Sequence, residues 1–93
     1  MAFKAVIRYW RPEQGSGLAV ADLPAQQIKV LGGLKQQRVH GTINGAAYQS
    51  NVMPAGSGRL ALSVSKKMMA DAGAAVGDTI SLEVIPITNN KPK

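Results

Sequence analysis

The sequence predicts a mostly β protein with two short helices, folded as a small β-barrel that is capped by those helices. Three observations predict this class: an internal repeat, short segments of alternating apolar and polar residues, and one short helical segment in each half. A chain of 93 residues can bury one modest hydrophobic core. We therefore expect a single domain over residues 1–88, with a flexible basic tail over residues 89–93.

The repeat aligns turn glycines together with apolar positions. Gly15-Ser16-Gly17 aligns with Gly56-Ser57-Gly58, an offset of 41 residues, and no gap is needed along the rest of the alignment. The apolar and glycine matches at the same offset are Leu23 with Val64, Ile28 with Met69, Gly32 with Gly73, Val39 with Ile80, and Ile43 with Val84. Each half alone would expose an apolar face. Two halves, at about 2–43 and 43–85, are predicted to bury these faces around a pseudo-twofold axis, and closing the barrel removes unpaired strand edges.

The first half begins with an alternating strand that places Phe3, Ala5, Ile7 and Tyr9 on one face. Pro24 suits the first turn of a helix, and Gly32 suits the residue that follows its end. The elements expected in this half are strands at 2–10, 18–23 and 36–43, a Gly-rich turn at 11–17, and a helix from Pro24 to Gly32.

The second half begins at Asn44-Gly45, the dipeptide most typical of a type I′ hairpin turn. Ser65 is a favourable helix N-cap, and Gly73 is expected to end that helix. The elements expected in this half are strands at 46–52, 59–64 and 79–85, a Gly-rich turn at 53–58, a helix between Ser65 and Gly73, and a turn at Gly77-Asp78.

Composition excludes several classes of site. The chain has no cysteine and one histidine, His40, so it offers no disulfide, thiolate site or multi-histidine metal cluster. Its five acidic residues are scattered singly, and no apolar run approaches the ~18–20 residues that span a bilayer. We expect a cytoplasmic protein without metal, cofactor or membrane partner, present as a monomer or a weak oligomer.

Several motifs together resemble a bacterial family known as domain of unknown function 1905. They are the run Arg38-Val39-His40-Gly41-Thr42-Ile43-Asn44-Gly45, Met53-Pro54, Gly56-Ser57-Gly58, the run from Leu62 to Lys67, and the run from Ala75 to Thr79. The resemblance covers roughly residues 2–85 and implies a double-split β-barrel. It implies no activity, because the family has none established. Some relatives carry a second domain associated with YdeI, OmpD and bacteriocin protection, and we expect this chain to end before it.

Residues 58–84 are also similar to the half-barrel of the AbrB/MazE group, in which two chains build one barrel that binds DNA. This chain holds both halves in one polypeptide. It therefore lacks two identical DNA-reading surfaces, and fold-level analogy does not transfer function by itself.

A catalytic role would require a partner for His40, which shares a strand face with Arg38 and Thr42. Ser63, Ser65 and Ser81 carry hydroxyls, and Asp71 and Asp78 carry carboxylates, but no spacing links any of them to His40. We expect His40 to be an exposed strand residue and Asp78 to be a turn former. No catalytic residue is predicted.

Other motifs have a structural and a functional interpretation. The two Gly-Ser-Gly segments are expected to be turns rather than phosphate cradles, because each precedes a strand and not a helix. Met68 and Met69 are expected to pack in the core, with a partner groove as the alternative. Trp10 is expected either to line a pocket or to lie over the Pro12 turn.

The formal net charge of +6 calls for an explanation. Lys4 and Arg8 share one strand face, and Arg38 and His40 share another. If those strands are neighbours, they form a cationic patch beside Trp10 that suits an anionic ligand or nucleic acid. The alternative is ordinary surface charge. The candidate contact residues are Lys4, Arg8, Trp10, Arg38, His40 and Arg59.

We interpret the chain as a non-enzymatic binding or accessory module. The alternative is an AbrB-like nucleic-acid-binding protein that uses Lys4, Arg8, Arg38 and Arg59. A small hydrolase or isomerase that uses His40 is disfavoured, because nothing in the sequence orients the imidazole.

Overall fold

A closed barrel of six antiparallel strands forms the body of the protein, in the order β1-β2-β5-β4-β3-β6. The computed structural model describes residues 2–11, 13, 15 and 17–87. Its elements are β1 (Phe3–Tyr9), β2 (Ala19–Asp22), α1 (Ala25–Val30), β3 (Gln37–Ile43), β4 (Ala46–Gly56), β5 (Arg59–Val64), α2 (Lys66–Ala72) and β6 (Thr79–Pro86). The predicted fold class is confirmed, and the predicted tail over residues 89–93 lies outside the described residues.

Strand pairing reveals how the two halves are related. Exchanging β1 with β4, β2 with β5 and β3 with β6 reproduces the same cyclic order around the barrel. The β2–β5 and β3–β6 registers fit the predicted offset of 41 residues. A shift of 41 residues exchanges the pair Gly41 and Val84 with the pair Ile43 and Leu82, and Ala21 pairs with Leu62, its own counterpart. The chain therefore folds as a pseudo-twofold barrel in which these two ladders lie on the symmetry axis.

The first strand of each half departs from that offset. Ile7 pairs with Ala21, and Val52 pairs with Leu62, so Ile7 corresponds to Val52, which is 45 residues later. The ungapped alignment is therefore wrong at this point. The connection between β1 and β2 is four residues longer than the one between β4 and β5, and a surface loop absorbs such a difference at little cost.

The fourth strand is longer than predicted. Met53 and Pro54 were expected in a turn, but β4 continues through both, and Pro54 pairs with Leu60. The ladder is irregular between Pro54 and Gly56, where a bulge accommodates a residue that has no N–H to donate. The actual turn is Ser57-Gly58, with φ of 55° and 72°.

The hairpin between β3 and β4 has the predicted turn. Asn44 and Gly45 have φ of 50° and 88°, which are the positive values that a type I′ turn requires at both central residues. This turn fixes the register in which Ile43 faces Ala46 and Val39 faces Ser50. The face that β3 presents to the core follows from that register.

The two helices lie at opposite ends of the barrel. Each helix follows the C-terminal end of β2 or β5, and these neighbouring strands are antiparallel. The Ser65 hydroxyl accepts a hydrogen bond from the Met68 N–H at 3.1 Å, so the predicted cap of α2 is confirmed. Residue Pro24, which precedes α1, provides no side-chain cap. We refer to the two ends of the barrel as the α1 end and the α2 end.

The core fills the barrel with aliphatic side chains. Val39 and Ile80, which correspond in the repeat, are 0% and 1% exposed, as predicted. Other fully buried members are Ile7, Ile43, Val52, Leu60, Leu62, Leu82 and Val64. Met68 is buried, and Met69 is half-buried against the same cluster. Among the described residues, no helix is long and apolar enough to cross a membrane.

Candidate functional site

The cationic patch predicted from the sequence does not form. It required β1 and β3 to be neighbours, but β6 lies between them. Lys4 faces Ser81 on β6, whereas His40 faces Ile85 farther along the same strand. Two intervening strand spacings and four residues of strand rise place Lys4 and His40 roughly 16 Å apart.

Arg8 is occupied by an acidic partner. Its Nε and Nη2 donate to the two carboxylate oxygens of Asp22 at 2.7 Å and 2.9 Å. These hydrogen bonds are the main reason why the pKa of Asp22 is lowered and that of Arg8 is raised, with the opposite charge adding to both. The nearby charge of Arg59 lowers the pKa of Asp22 further.

This ion pair has a structural role on the outer wall. Arg8 pairs across the ladder with Val20, and its side chain reaches Asp22, two residues farther along β2. Val20 points away from the barrel interior and yet is 0% exposed. The aliphatic stem of Arg8 therefore lies across Val20, as long cationic side chains commonly do over apolar surface.

The remaining candidates are divided between the outer wall and the two ends of the barrel. His40 is exposed, and its ladder partners are Gln49 and Ile85, neither of which is a carboxylate. Trp10 is half-buried at the α2 end, and its backbone N–H donates to the backbone carbonyl of Leu18 at 2.7 Å. Arg38 and Arg59 are exposed at the α1 end, where β3 and β5 begin.

An apolar concavity lies at the α2 end, in the angle between α2 and the adjoining ends of β1, β2 and β5. It has a volume of about 350 Å³. Its lining is mainly apolar and consists of Tyr9, Gly17, Leu18, Ala19, Val64, Ser65, Lys66, Met69 and Val76. We call this concavity the α2 groove.

A second depression continues the α2 groove along the helix. It has a volume of about 420 Å³ and shares Tyr9, Lys66, Met69 and Val76 with the first. Ala70, Ala74 and Ala75 form the rest of its lining. Small side chains on this side keep the depression open, so the two form one continuous surface in the volume range of small-molecule sites.

Lys66 supplies the charge of the α2 groove. It forms no ion pair with any carboxylate among the described residues, whereas the next residue, Lys67, contacts Asp71 at 2.7 Å on another side of the helix. The hydroxyl of Ser65 already accepts a hydrogen bond from the helix. The groove therefore combines an apolar wall with one unpaired cation.

A family model for a domain of unknown function, DUF1905, matches residues 3–84. The chain belongs to this family. Searches of the curated proteins and of the solved structures gave no match. The resemblance carried by the glycine and hairpin motifs is thereby confirmed, and the matched residues include β1 to β5, both helices and all but the last two residues of β6 of the DUF1905 barrel.

Sequence analysis missed most of the α2 groove in this DUF1905 barrel. Met69 was expected to pack in the core, with a partner groove as the alternative, and it both packs against the core and lines the groove. Leu18 offered a usable signal, because it is a large apolar residue directly after a glycine-rich loop and is 46% exposed. No periodic spacing joins Tyr9, Leu18 and Val76. Pairing of β1 with β2 places Tyr9 beside Leu18, and pairing of β1 with β6 brings Val76 to them.

Proposed function

We propose that the protein is a non-enzymatic binding module whose α2 groove takes a small ligand with an apolar body and an anionic group. The observation that carries this proposal is the unpaired Lys66 at the edge of an otherwise apolar concavity. Apolar surface provides the affinity of such sites, and a single charge orients the ligand.

The lining of the groove supports binding rather than catalysis. Among the described residues, the lining contains no histidine, cysteine, aspartate or glutamate, so none of these side chains acts as a general base near neutral pH. The Ser65 hydroxyl accepts a backbone hydrogen bond and has no neighbouring base that would activate it. His40 lies on the outer wall between Gln49 and Ile85.

Hexanoate and 1-hexanol are suitable probes because they share an apolar chain and differ in charge. We expect saturable binding of hexanoate, measured by NMR titration, and weaker binding of 1-hexanol. Lys66→Gln should weaken hexanoate binding by about threefold to tenfold and leave 1-hexanol unchanged, since one exposed ion pair contributes roughly 1 kcal/mol.

Lys67→Gln is the matched control, because it removes the same charge from the adjacent residue of the same helix. It should leave hexanoate binding unchanged, since Lys67 contacts Asp71 and does not line the groove. Equal loss in both variants would show that net charge, rather than the groove, attracts the carboxylate. Absence of saturable binding by either probe would contradict the proposal.

A further inference from the structure

The two ends of the barrel differ in charge. Between Asp22 and Asp71 the chain has no acidic residue, and this stretch carries six lysines and arginines. Lys66 and Lys67 lie at the α2 end. The other four, which are Lys29, Lys35, Arg38 and Arg59, belong to α1, to the loop after it, and to the first residues of β3 and β5.

The fold places these elements around the α1 end, with Arg38 and Arg59 on strands that β4 separates. The N–H of Leu23, just before α1, donates to the carbonyl of Leu60 at 2.9 Å, which places Arg59 beside the start of the helix. Gln37, just before Arg38, donates from its side chain to the carbonyl of Leu31 at the helix end. Lys35 folds back over Gly32, with its Nζ 3.5 Å from where a Cβ would stand.

The pseudo-twofold relation places two of these cations at positions that correspond to lining residues of the α2 groove. At the α2 end, Leu18 and Val76 line the same groove over Met69. Their counterparts at the α1 end, at the 41-residue offset of β2 and of the helices, are Arg59 and Lys35 around Ile28. Two positions that are apolar at the α2 end, Leu18 and Val76, are therefore cationic at the α1 end.

The four cations at the α1 end are exposed, and none forms an ion pair within the described part of the chain. Asp22, a carboxylate at this end whose pKa the charge of Arg59 also lowers, is held by the two hydrogen bonds from Arg8. An unneutralised cluster of this kind attracts a polyanion, because each phosphate that it contacts releases condensed counterions.

We propose that the α1 end, through Lys29, Lys35, Arg38 and Arg59, binds the phosphate backbone of duplex nucleic acid without sequence specificity. Two arginines among the four favour phosphates, which guanidinium groups can contact with two hydrogen bonds. None of the four elements contributes an aromatic residue for base stacking at this cluster. Contacts to the backbone therefore dominate over base recognition.

An anionic membrane is the competing ligand, because Val30 and Leu34 are 61% and 48% exposed beside the lysines. Two half-exposed aliphatic side chains contribute little to bilayer insertion, whereas stable anchoring requires a larger apolar element. The observations favour nucleic acid, and vesicles provide a separate arm of the test.

The experiment measures the affinity of the full chain for a short mixed-sequence duplex DNA by fluorescence anisotropy over about 50 to 200 mM salt. We expect log K to fall against log salt with a slope of about −3 to −4, since three or four phosphates are neutralised. Lys35→Gln with Arg59→Gln should make the slope less negative by about two. Unchanged melting temperature and amide spectrum would confirm that the variant is folded.

The matched control is the double variant Lys66→Gln with Lys67→Gln, which removes the same charge from the opposite end. It should leave the slope unchanged. Equal flattening by both double variants would overturn the assignment to the α1 end, and so would binding to vesicles of phosphatidylserine and phosphatidylcholine without binding to DNA. Absence of binding at about 50 mM salt would overturn it as well.

Discussion

Gly41 shows how one residue determines a close approach between strands. A Cβ at this position would lie 1.9 Å from the carbonyl oxygen of Glu83 on β6. Tyr48, which pairs with Gly41, donates from its hydroxyl to the same oxygen at 2.9 Å. The ring of Tyr48 therefore crosses the glycine and ties β4 to β6 over β3, in the manner of an aromatic residue covering a glycine in a sheet.

Gly41→Ala should lower the free energy of unfolding by about 3 kcal/mol, because the new methyl group meets backbone that cannot move alone. Urea denaturation would measure the change. Gly73→Ala is the control, because its added Cβ meets nothing within 4 Å. The only unfavourable effect there is the left-handed φ of 65°. It should cost about 1 kcal/mol, and equal losses in the two variants would contradict the clash.

Asp22 makes stability depend on pH. Its folded pKa is lowered by Arg8, so its contribution to stability is present above the unfolded pKa of about 3.9 and is lost as pH falls through the folded pKa. Asp22→Asn should cost about 1 kcal/mol at pH ~7. The difference between the two proteins should shrink toward zero in strong acid, and a difference that is constant with pH would contradict the role of the ion pair.

The helices differ in how their first turns are held. In α2 the Ser65 hydroxyl satisfies the N–H of Met68, and the Ser65 N–H lies 3.4 Å from the sulfur of Met68. In α1 the equivalent residue is Pro24, which has no side-chain acceptor. The helix beside the proposed ligand groove is thus the more firmly fixed of the two.

Ser65→Ala should lower the free energy of unfolding by about 1 kcal/mol, the usual effect of losing an N-cap. It should also speed amide exchange at Met68 by a larger factor than in the rest of the barrel. Pro24→Ala is the matched variant, because it removes no side-chain cap, and it should leave exchange in α2 unchanged. Protection at Met68 that survives Ser65→Ala would show that the cap is dispensable.

At the scale of elements, local signals in the sequence were sufficient for most of the fold. Asn44-Gly45 determines its turn through the positive φ of both residues, and Ser65 determines its cap through a hydrogen bond from the Met68 N–H to its hydroxyl. Pro54 was wrongly predicted to lie in a turn, because a proline in a β-bulge and a proline in a turn cannot be distinguished in a single sequence. The longer β1–β2 connection was missed because the Gly-Ser-Gly segments align without a gap.

At the scale of the whole molecule, the features that the sequence did not predict depend on which strands become neighbours in the barrel. Both β1 and β3 pair with β6 in an antiparallel manner, so they are parallel to each other and separated, and the predicted patch is dispersed. The α2 groove likewise depends on strand pairing, because the β2–β5 ladder brings Leu18 to the helix whose following loop carries Val76. Contacts between distant parts of the chain leave no periodic signal in a single sequence.

The two ends of the pseudo-twofold barrel have the same backbone architecture but different side chains. The central claim is that the α2 end is the ligand site. The most direct test is an amide chemical-shift map of the protein titrated with hexanoate. We predict saturable shifts at Leu18, Met69 and Val76, and none at their counterparts Arg59, Ile28 and Lys35. Shifts confined to those counterparts, or spread evenly over both ends, would contradict the account.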